Sequence, residues 1–253
     1  MNMKKQKLLF FPFLFALGIS LFSCNVGNNG NVTTYQNTPA VATYNSTVGG
    51  YVLGTPYGYY AAPELTTLFE GECLFLQQFS IDYDNQLSTQ YTTLSNVLAV
   101  SVNQSSVEIG QDSTVNIQNF NLPLSNVSGL SSAYYQGKFF IGATTTDGNP
   151  SFRLVYNSTN DAADGTKNLY LLAAPSSSGT SSAGTNSIYA FDLSYLVQSM
   201  GRDTTIAVSG TTSTVNLKYI MANLNYLSGI SDAGVPTYSG VTQQNPFAIY
   251  IFQ

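Results

Sequence analysis

Histidine is absent from all 253 residues, and charged side chains make up only 8% of the chain. Without an imidazole there is no Ser-His-Asp or Cys-His nucleophile, no histidine acid–base pair and no His-ligated zinc. Phosphate-cradling glycine loops of the Walker or dinucleotide type are missing as well, so no cofactor is expected. Basic residues are missing over a long stretch: no Lys or Arg lies between Cys24 and Ser125, where Glu64, Glu70, Glu72, Asp82, Asp84, Glu108 and Asp112 stand uncompensated. Proteins hold nucleic acid by replacing the counterions along its phosphates with Lys and Arg, so this half excludes DNA and RNA as partners. An anionic lipid surface is excluded for the same reason.

The basic residues that do occur near the start carry an address. Lys4, Lys5 and Lys7 precede an apolar run from Leu8 to Phe22, which leads into Leu21-Phe22-Ser23-Cys24. That order resembles a lipoprotein signal peptide over residues 1–23, with Cys24 as the lipidated residue; Phe22 is bulkier than the usual occupant. The apolar run is shorter than the roughly 20 residues a spanning helix needs and contains Pro12. Two or three acyl chains on Cys24 would anchor the protein durably, since each buried CH₂ contributes about 0.8 kcal/mol. The expected location is the bacterial cell envelope, at the outer membrane, with the body periplasmic or surface-exposed. Once Cys24 is acylated, Cys73 has no cysteine to pair with, and stability must come from packing.

From Cys24 onward five basic residues face thirteen acidic ones, a net charge of −8. Ser, Thr, Asn, Gln, Tyr and Gly are abundant, which suits strands with hydroxyl-rich exposed faces and polar turns. Residues 24–50 contain no charge and no sustained period, and read as a flexible tether with a reach of about 28 Å. Residues 51–125 read as a small β-barrel domain. Its clearest strand runs from Cys73 to Tyr83, with Cys73, Phe75, Phe79, Ile81 and Tyr83 on one face, interrupted at Gln77. Val97–Val102 and Val107–Ile117 follow as strands, with a turn at Gly110-Gln111-Asp112. Residues 126–253 read as a β-sandwich, with strands at 138–142, 152–156, 169–173, 188–193, 206–208, 215–220 and 247–252. They are separated by turns such as Asp147-Gly148-Asn149-Pro150 and a Ser/Gly loop over 176–187. Leu193, Leu196, Val197 and Met200 have helical spacing, with Ser194 near the start and Gly201 where a C-terminal cap belongs. Residues 219–227 fit either strand or helix.

The chain is similar to the NigD-like lipoproteins of the Bacteroidetes. The matching pieces are Gly54-Thr55-Pro56-Tyr57-Gly58, Phe69-Glu70-Gly71-Glu72-Cys73, Phe79-Ser80-Ile81-Asp82-Tyr83, Phe152-Arg153-Leu154-Val155-Tyr156 and Ala190-Phe191-Asp192-Leu193-Ser194. They cover most of the chain after Val48, but each is short and none is chemical. The resemblance implies an all-β fold with a small N-terminal OB-like barrel followed by a C-terminal β-sandwich. It implies no activity, because the family has no settled one. The chain departs from the pattern in lacking an acidic cluster after the lipidated cysteine and in its few charges.

Candidate chemistry is sparse. Cys73 lies on an apolar strand face with no encoded base and reads as an inert core thiol. Glu70 and Glu72 are too far along one strand from Asp82 and Asp84 to form a glycosidase pair. Asp82, Asp84 and Asn85, or Asp161 and Asp164, could offer oxygens to calcium, but polar turns explain them better, and no metal site is expected. Tyr57, Tyr59 and Tyr60 around Gly58 are the candidate binding residues, since tyrosine supplies rigid amphipathic contact area. Ser113 and Thr204, each preceded by Asp and followed by Thr, match the Bacteroidetes O-glycosylation pattern. The expected function is a non-catalytic binding or interaction module, anchored to the membrane through lipid, with a glycan or an envelope protein as partner. The alternatives are a fimbria-like structural subunit and, less favoured, a carbohydrate-active enzyme.

Overall fold

The computed structural model describes residues 31–46, 48–55, 57–84, 91–110, 117–129, 137–147, 150–175, 181–207, 214–241 and 246–252. The chain divides into two compact units, meeting between Ser101 and Val102. Among the described residues no helix is long and apolar enough to cross a membrane.

The first unit is a closed five-stranded barrel of β1 (Val32–Asn45), β2 (Gly50–Thr55), β3 (Gly58–Ala61), β4 (Cys73–Asp82) and β5 (Thr92–Ser101). Its order is β1-β2-β3-β5-β4, the arrangement expected of an OB-like barrel. Pairing is antiparallel except between β3 and β5. Ala40, Ala42, Leu53, Leu74, Leu76, Phe79, Ile81 and Leu94 fill it, and Leu65 and Leu68 of the β3–β4 link pack against them. Each fully buried Leu, Ile or Phe contributes roughly 1.5–3 kcal/mol.

The tether expected over 24–50 does not extend past the start of β1. Val32–Val41 pair with β4 and Val41–Asn45 with β2, so one strand serves both sides of the barrel. Its period is hidden because Asn37 adopts a φ of 54°, which moves the core-facing residues from Tyr35 to Ala40 and Ala42. β4 changes parity at the same level, from Leu74 and Leu76 to Phe79 and Ile81, and its register with β5 slips between Leu76 and Gln78. The single apolar face read from Cys73 to Tyr83 is therefore two faces joined at a bulge beside Gln77.

The second unit stacks two sheets. One contains β6 (Asn103–Ser106), β8 (Ser125–Gly129), β9 (Lys138–Asp147) and β12 (Ser181–Asp192), in the order β6-β12-β9-β8. The other runs β13 (Arg202–Ala207), β14 (Thr214–Ile230), β11 (Lys167–Ala174), β10 (Ser151–Asn157), β7 (Glu108–Gly110). β15 (Pro236–Gly240) and β16 (Phe247–Phe252) both pair with β14. Phe139, Ile141 and Phe191 of the first sheet meet Leu154, Tyr156, Leu169, Leu171, Ile220, Leu224 and Ile249 of the second in one core, as a sandwich requires.

The boundary expected at 125/126 lies instead at 101/102. β6 pairs in parallel with β12 and β7 with β10, which draws residues 103–110 into the sandwich. Parallel partners distant in sequence leave no trace in a local pattern. The Ser/Gly loop expected over 176–187 is strand from Ser181 on, paired with β9 through a register shift between Ser181 and Thr185; residues 176–180 lie outside the described set. The expected helix is present as α1 (Ser194–Met200), but Gly201 is extended, with φ −72°, not left-handed. Glycine is needed there for space, because a Cβ would lie 2.3 Å from the Val197 carbonyl oxygen. Residues 219–227 are strand, within β14.

Candidate functional site

The β2–β3 turn is built around its glycine. The Thr55 hydroxyl accepts from the Tyr57 N–H at 3.1 Å and donates to the Gly58 carbonyl at 3.1 Å, while Gly58 takes a φ of 138°, open to glycine. Strand alternation then separates the three candidate tyrosines. Tyr60 faces the core, 6.3 Å from the Phe79 ring, with its hydroxyl donating to the Tyr57 carbonyl at 3.4 Å. Tyr59 points to the other face and is 42% exposed. The fanned platform of three rings is therefore not formed.

Two tyrosines that sequence reasoning passed over complete a different cluster. Tyr35 stacks on Phe79, with centroids 5.0 Å apart and planes at 12°, and lies 5.9 Å from Tyr57. Its hydroxyl sits 3.4 Å from that of Tyr83, which is half exposed at the end of β4. Tyr35, Tyr57, Tyr60 and Tyr83 thus gather around Phe79 at the barrel end defined by the β2–β3 turn and the close of β4. The available signal was Tyr35 itself, but it lay in a segment read as tether. Burial pushes the Tyr35, Tyr57 and Tyr60 phenols above the ordinary tyrosine value, and Tyr83 adds to the effect on Tyr35 and Tyr60. These hydroxyls are neutral donors and acceptors at physiological pH.

The carboxylates are committed to the fold. Glu64 accepts from the N–H groups of Asn96 (3.1 Å) and Val97 (3.0 Å), where Asn96 kinks β5 with a φ of 52°. Buried Glu72 accepts from the Ser101 hydroxyl (2.6 Å) and the Phe69 N–H (3.2 Å), and Glu70 accepts from the Tyr44 N–H. Asp82 accepts from the Asp84 N–H, and Asp84 from the Asn31 side chain. In the second unit Asp161 takes hydrogen bonds from Lys167 and Tyr156, and Asp164 from the Thr166 N–H. Among the described residues no three His, Cys, Asp or Glu side chains are grouped to hold a metal ion. Cys73 is fully buried. Thr204 is half-buried on β13, opposite Leu217. Cys24, Asn85 and Ser113 lie outside the described residues.

These features define a two-unit all-β protein with an OB-like barrel, a β-sandwich and a tyrosine cluster at one barrel end. No protein-family model matches the chain, and no curated protein matches it in sequence. Solved structures do. A protein of unassigned function from Parabacteroides merdae is similar with a TM-score of 0.57 at 14% identity, over 81% of this chain and 95% of that one. A candidate lipoprotein from Bacteroides fragilis is similar with a TM-score of 0.51 at 13% identity, over 81% and 96%. At these identities the likeness is one of fold. The structures found also include a NigD-like immunity protein from Bacteroides caccae, with a TM-score of 0.43 at 12% identity, over 88% and 98%.

Proposed function

We propose that this chain is a lipid-anchored, non-catalytic protein of the bacterial envelope, carried on Cys24 at the outer membrane, and that its barrel end is a binding surface for a glycan or another envelope component. The gathering of Tyr35, Tyr57, Tyr60 and Tyr83 around Phe79 carries the reading. Such rings offer stiff contact area with a polar rim, and no Lys or Arg occurs in the barrel sequence to favour phosphate or sulfate. The commitment of Glu64, Glu70, Glu72 and Asp84 to backbone, amide and hydroxyl donors speaks against acid–base work. The Leu21-Phe22-Ser23-Cys24 sequence at the end of the apolar run and the B. fragilis fold relative support the address.

Two experiments test the proposal. Cys24→Ala should abolish metabolic palmitate labelling and release the protein from the membrane fraction; a mutant that still labels overturns the anchor. A glycan array and a pull-down with Tyr57→Ala/Tyr83→Ala should show affinity falling about tenfold, since each ring contact is worth about 0.5–1.5 kcal/mol. Undiminished binding would leave these rings a structural role only.

A further inference from the structure

The second unit contains a pattern that neither the barrel-end reading nor the sequence motifs take up. β11 and β14 lie side by side in parallel, and their sequences match in register: Asn168 beside Asn223, Leu169 beside Leu224, Tyr170 beside Asn225. Leu169 and Leu224 are buried in the sandwich core. Because successive side chains alternate across a strand, Asn168, Tyr170, Asn223 and Asn225 share the outer face of the sheet. All four keep part of their surface in solvent.

The amides there are held in place without being exhausted. Asn223 Nδ2 donates to Asn168 Oδ1 at 3.0 Å, Asn168 Nδ2 donates to the Asn160 carbonyl, and Asn225 Nδ2 reaches the Leu169 carbonyl at 3.4 Å. The side-chain carbonyls of Asn223 and Asn225 accept no hydrogen bond among the described residues. Tyr238 of β15 meets Tyr170 edge to face, centroids 5.1 Å apart at 72°, and its hydroxyl is buried with no partner among the described residues. The adjoining apolar part of the face is closed by the chain itself: Ile117 and Phe120 pack on Val155, Leu172 and Leu227, and the Leu122 and Leu124 N–H groups bond to Ala173 and Leu227. The polar part is thereby set off as a bounded strip.

We propose that this strip binds a neutral polysaccharide. A pyranose presents a C–H face and a rim of hydroxyls, each both donor and acceptor. Tyr170 offers a ring to the first, and the Asn223 and Asn225 amides, with carbonyl and N–H₂ side by side, match the second. Asn223 and Asn225 stand two residues apart on one face of β14, about 6.6 Å along the strand, so their amides reach hydroxyl groups well separated along the polymer. The side chains are fixed by their own hydrogen bonds, which lowers the ordering cost on binding. No charged residue projects from β11 or β14 among them, so an anionic polymer gains nothing there. Burial raises the Tyr170 and Tyr238 phenols, so both are neutral at physiological pH, and the Tyr170 hydroxyl is bonded to the Asn160 side chain.

The test is native electrophoresis of the detergent-solubilised lipoprotein through gels cast with a soluble glucan, mannan, galactan or xylan, with polygalacturonate as the anionic control. At least one neutral polymer should retard the protein, and Asn223→Ala/Asn225→Ala should weaken that retardation tenfold or more. Asn225→Asp, which keeps the size of the side chain but removes its N–H₂ donor, should weaken it as well. Tyr195→Ala, on the exposed side of α1, should leave it unchanged. Absence of retardation by all four neutral polymers overturns the proposal, as does equal retardation by polygalacturonate. Retardation that survives both asparagine variants but falls in Tyr57→Ala/Tyr83→Ala overturns this strip while supporting the barrel end.

Discussion

The two units neutralise their acidic side chains differently. The barrel has no Lys or Arg, and its carboxylates bond to neutral donors: Glu64 to two backbone N–H groups of the kinked β5, Glu72 to Ser101 and Phe69, Glu70 to Tyr44. The sandwich uses cations: Lys138 with Asp192 at 2.8 Å, Arg153 with Glu108 at 2.6 Å, and Lys167 with Asp161. At Tyr44, Phe69, Asn96 and Val97 a barrel carboxylate supplies the acceptor for a backbone N–H. A buried hydrogen bond to a charged group, such as those of Glu72, contributes about 1.5–3 kcal/mol net, whereas the exposed Glu64 and Glu70 bonds and the partly exposed ion pairs of the sandwich are weakened by solvent. The barrel therefore depends most on Glu72.

The largest effect expected from one substitution falls on the sandwich and leaves the barrel alone. Gly137 has a φ of 79°, its carbonyl accepts from the Leu193 N–H, and an added Cβ would lie 1.8 Å from Ser194 Oγ. Gly137→Ala should cost about 3 kcal/mol through backbone strain and overpacking. Hydrogen exchange read peptide by peptide should show lost protection in β9, β12 and α1 with β1–β5 unchanged. Equal loss in the barrel would mean that the units do not unfold separately.

Glu72→Ala is the converse test. It strips acceptors from the Ser101 hydroxyl and the Phe69 N–H around a side chain only 7% exposed, for a cost of about 2 kcal/mol. Protection should fall in β4 and β5 and hold in the sandwich. Glu72→Gln keeps one acceptor and should lose about half as much. If Glu72→Ala is neutral, the view that the barrel depends on the Glu72 bonds fails.

How far the sequence revealed this depended on whether periodicity survived folding. The sandwich strands were legible because runs such as Phe152–Tyr156 and Leu169–Ala173 keep their parity. β1 was not, since Asn37 breaks its alternation and its Thr, Asn and Gln content resembles a linker. The barrel-end site was half visible: Tyr57 and Tyr60 stood out as a cluster, whereas Tyr35 and Tyr83 join them through the β1–β4 register. The asparagine strip was present as Asn168-Leu169-Tyr170 and Asn223-Leu224-Asn225, but only the parallel pairing of β11 with β14 makes the repeat a surface.

The smallest expected effect concerns pH and salt, and it bears on the comparison most directly. Burial alone would raise the Asp192 carboxyl, but the Lys138 ammonium and the Ser194 N–H at 2.8 Å outweigh it and hold the group below the ordinary carboxylate value. Its unfolded counterpart titrates near 3.9, so the unfolded chain binds the proton more readily. The stabilisation from Asp192 is therefore complete above that pH and is lost as pH falls through the lower, folded value. With both partners partly exposed, the Lys138 contribution is about 0.5–1 kcal/mol. Asp192→Asn should remove most of this acid-linked loss around α1 while keeping an acceptor for Ser194. Raising salt to about 1 M shortens the screening length to roughly 3 Å, and should weaken the Lys138–Asp192 pair while leaving the buried Glu72 bonds as they are. Hydrogen exchange at neutral pH should then show α1 and β9 loosening slightly with salt, and β4–β5 holding. If β4–β5 loosens as much as α1, the barrel's acids answer to mobile ions after all, and the distinction between the two units fails.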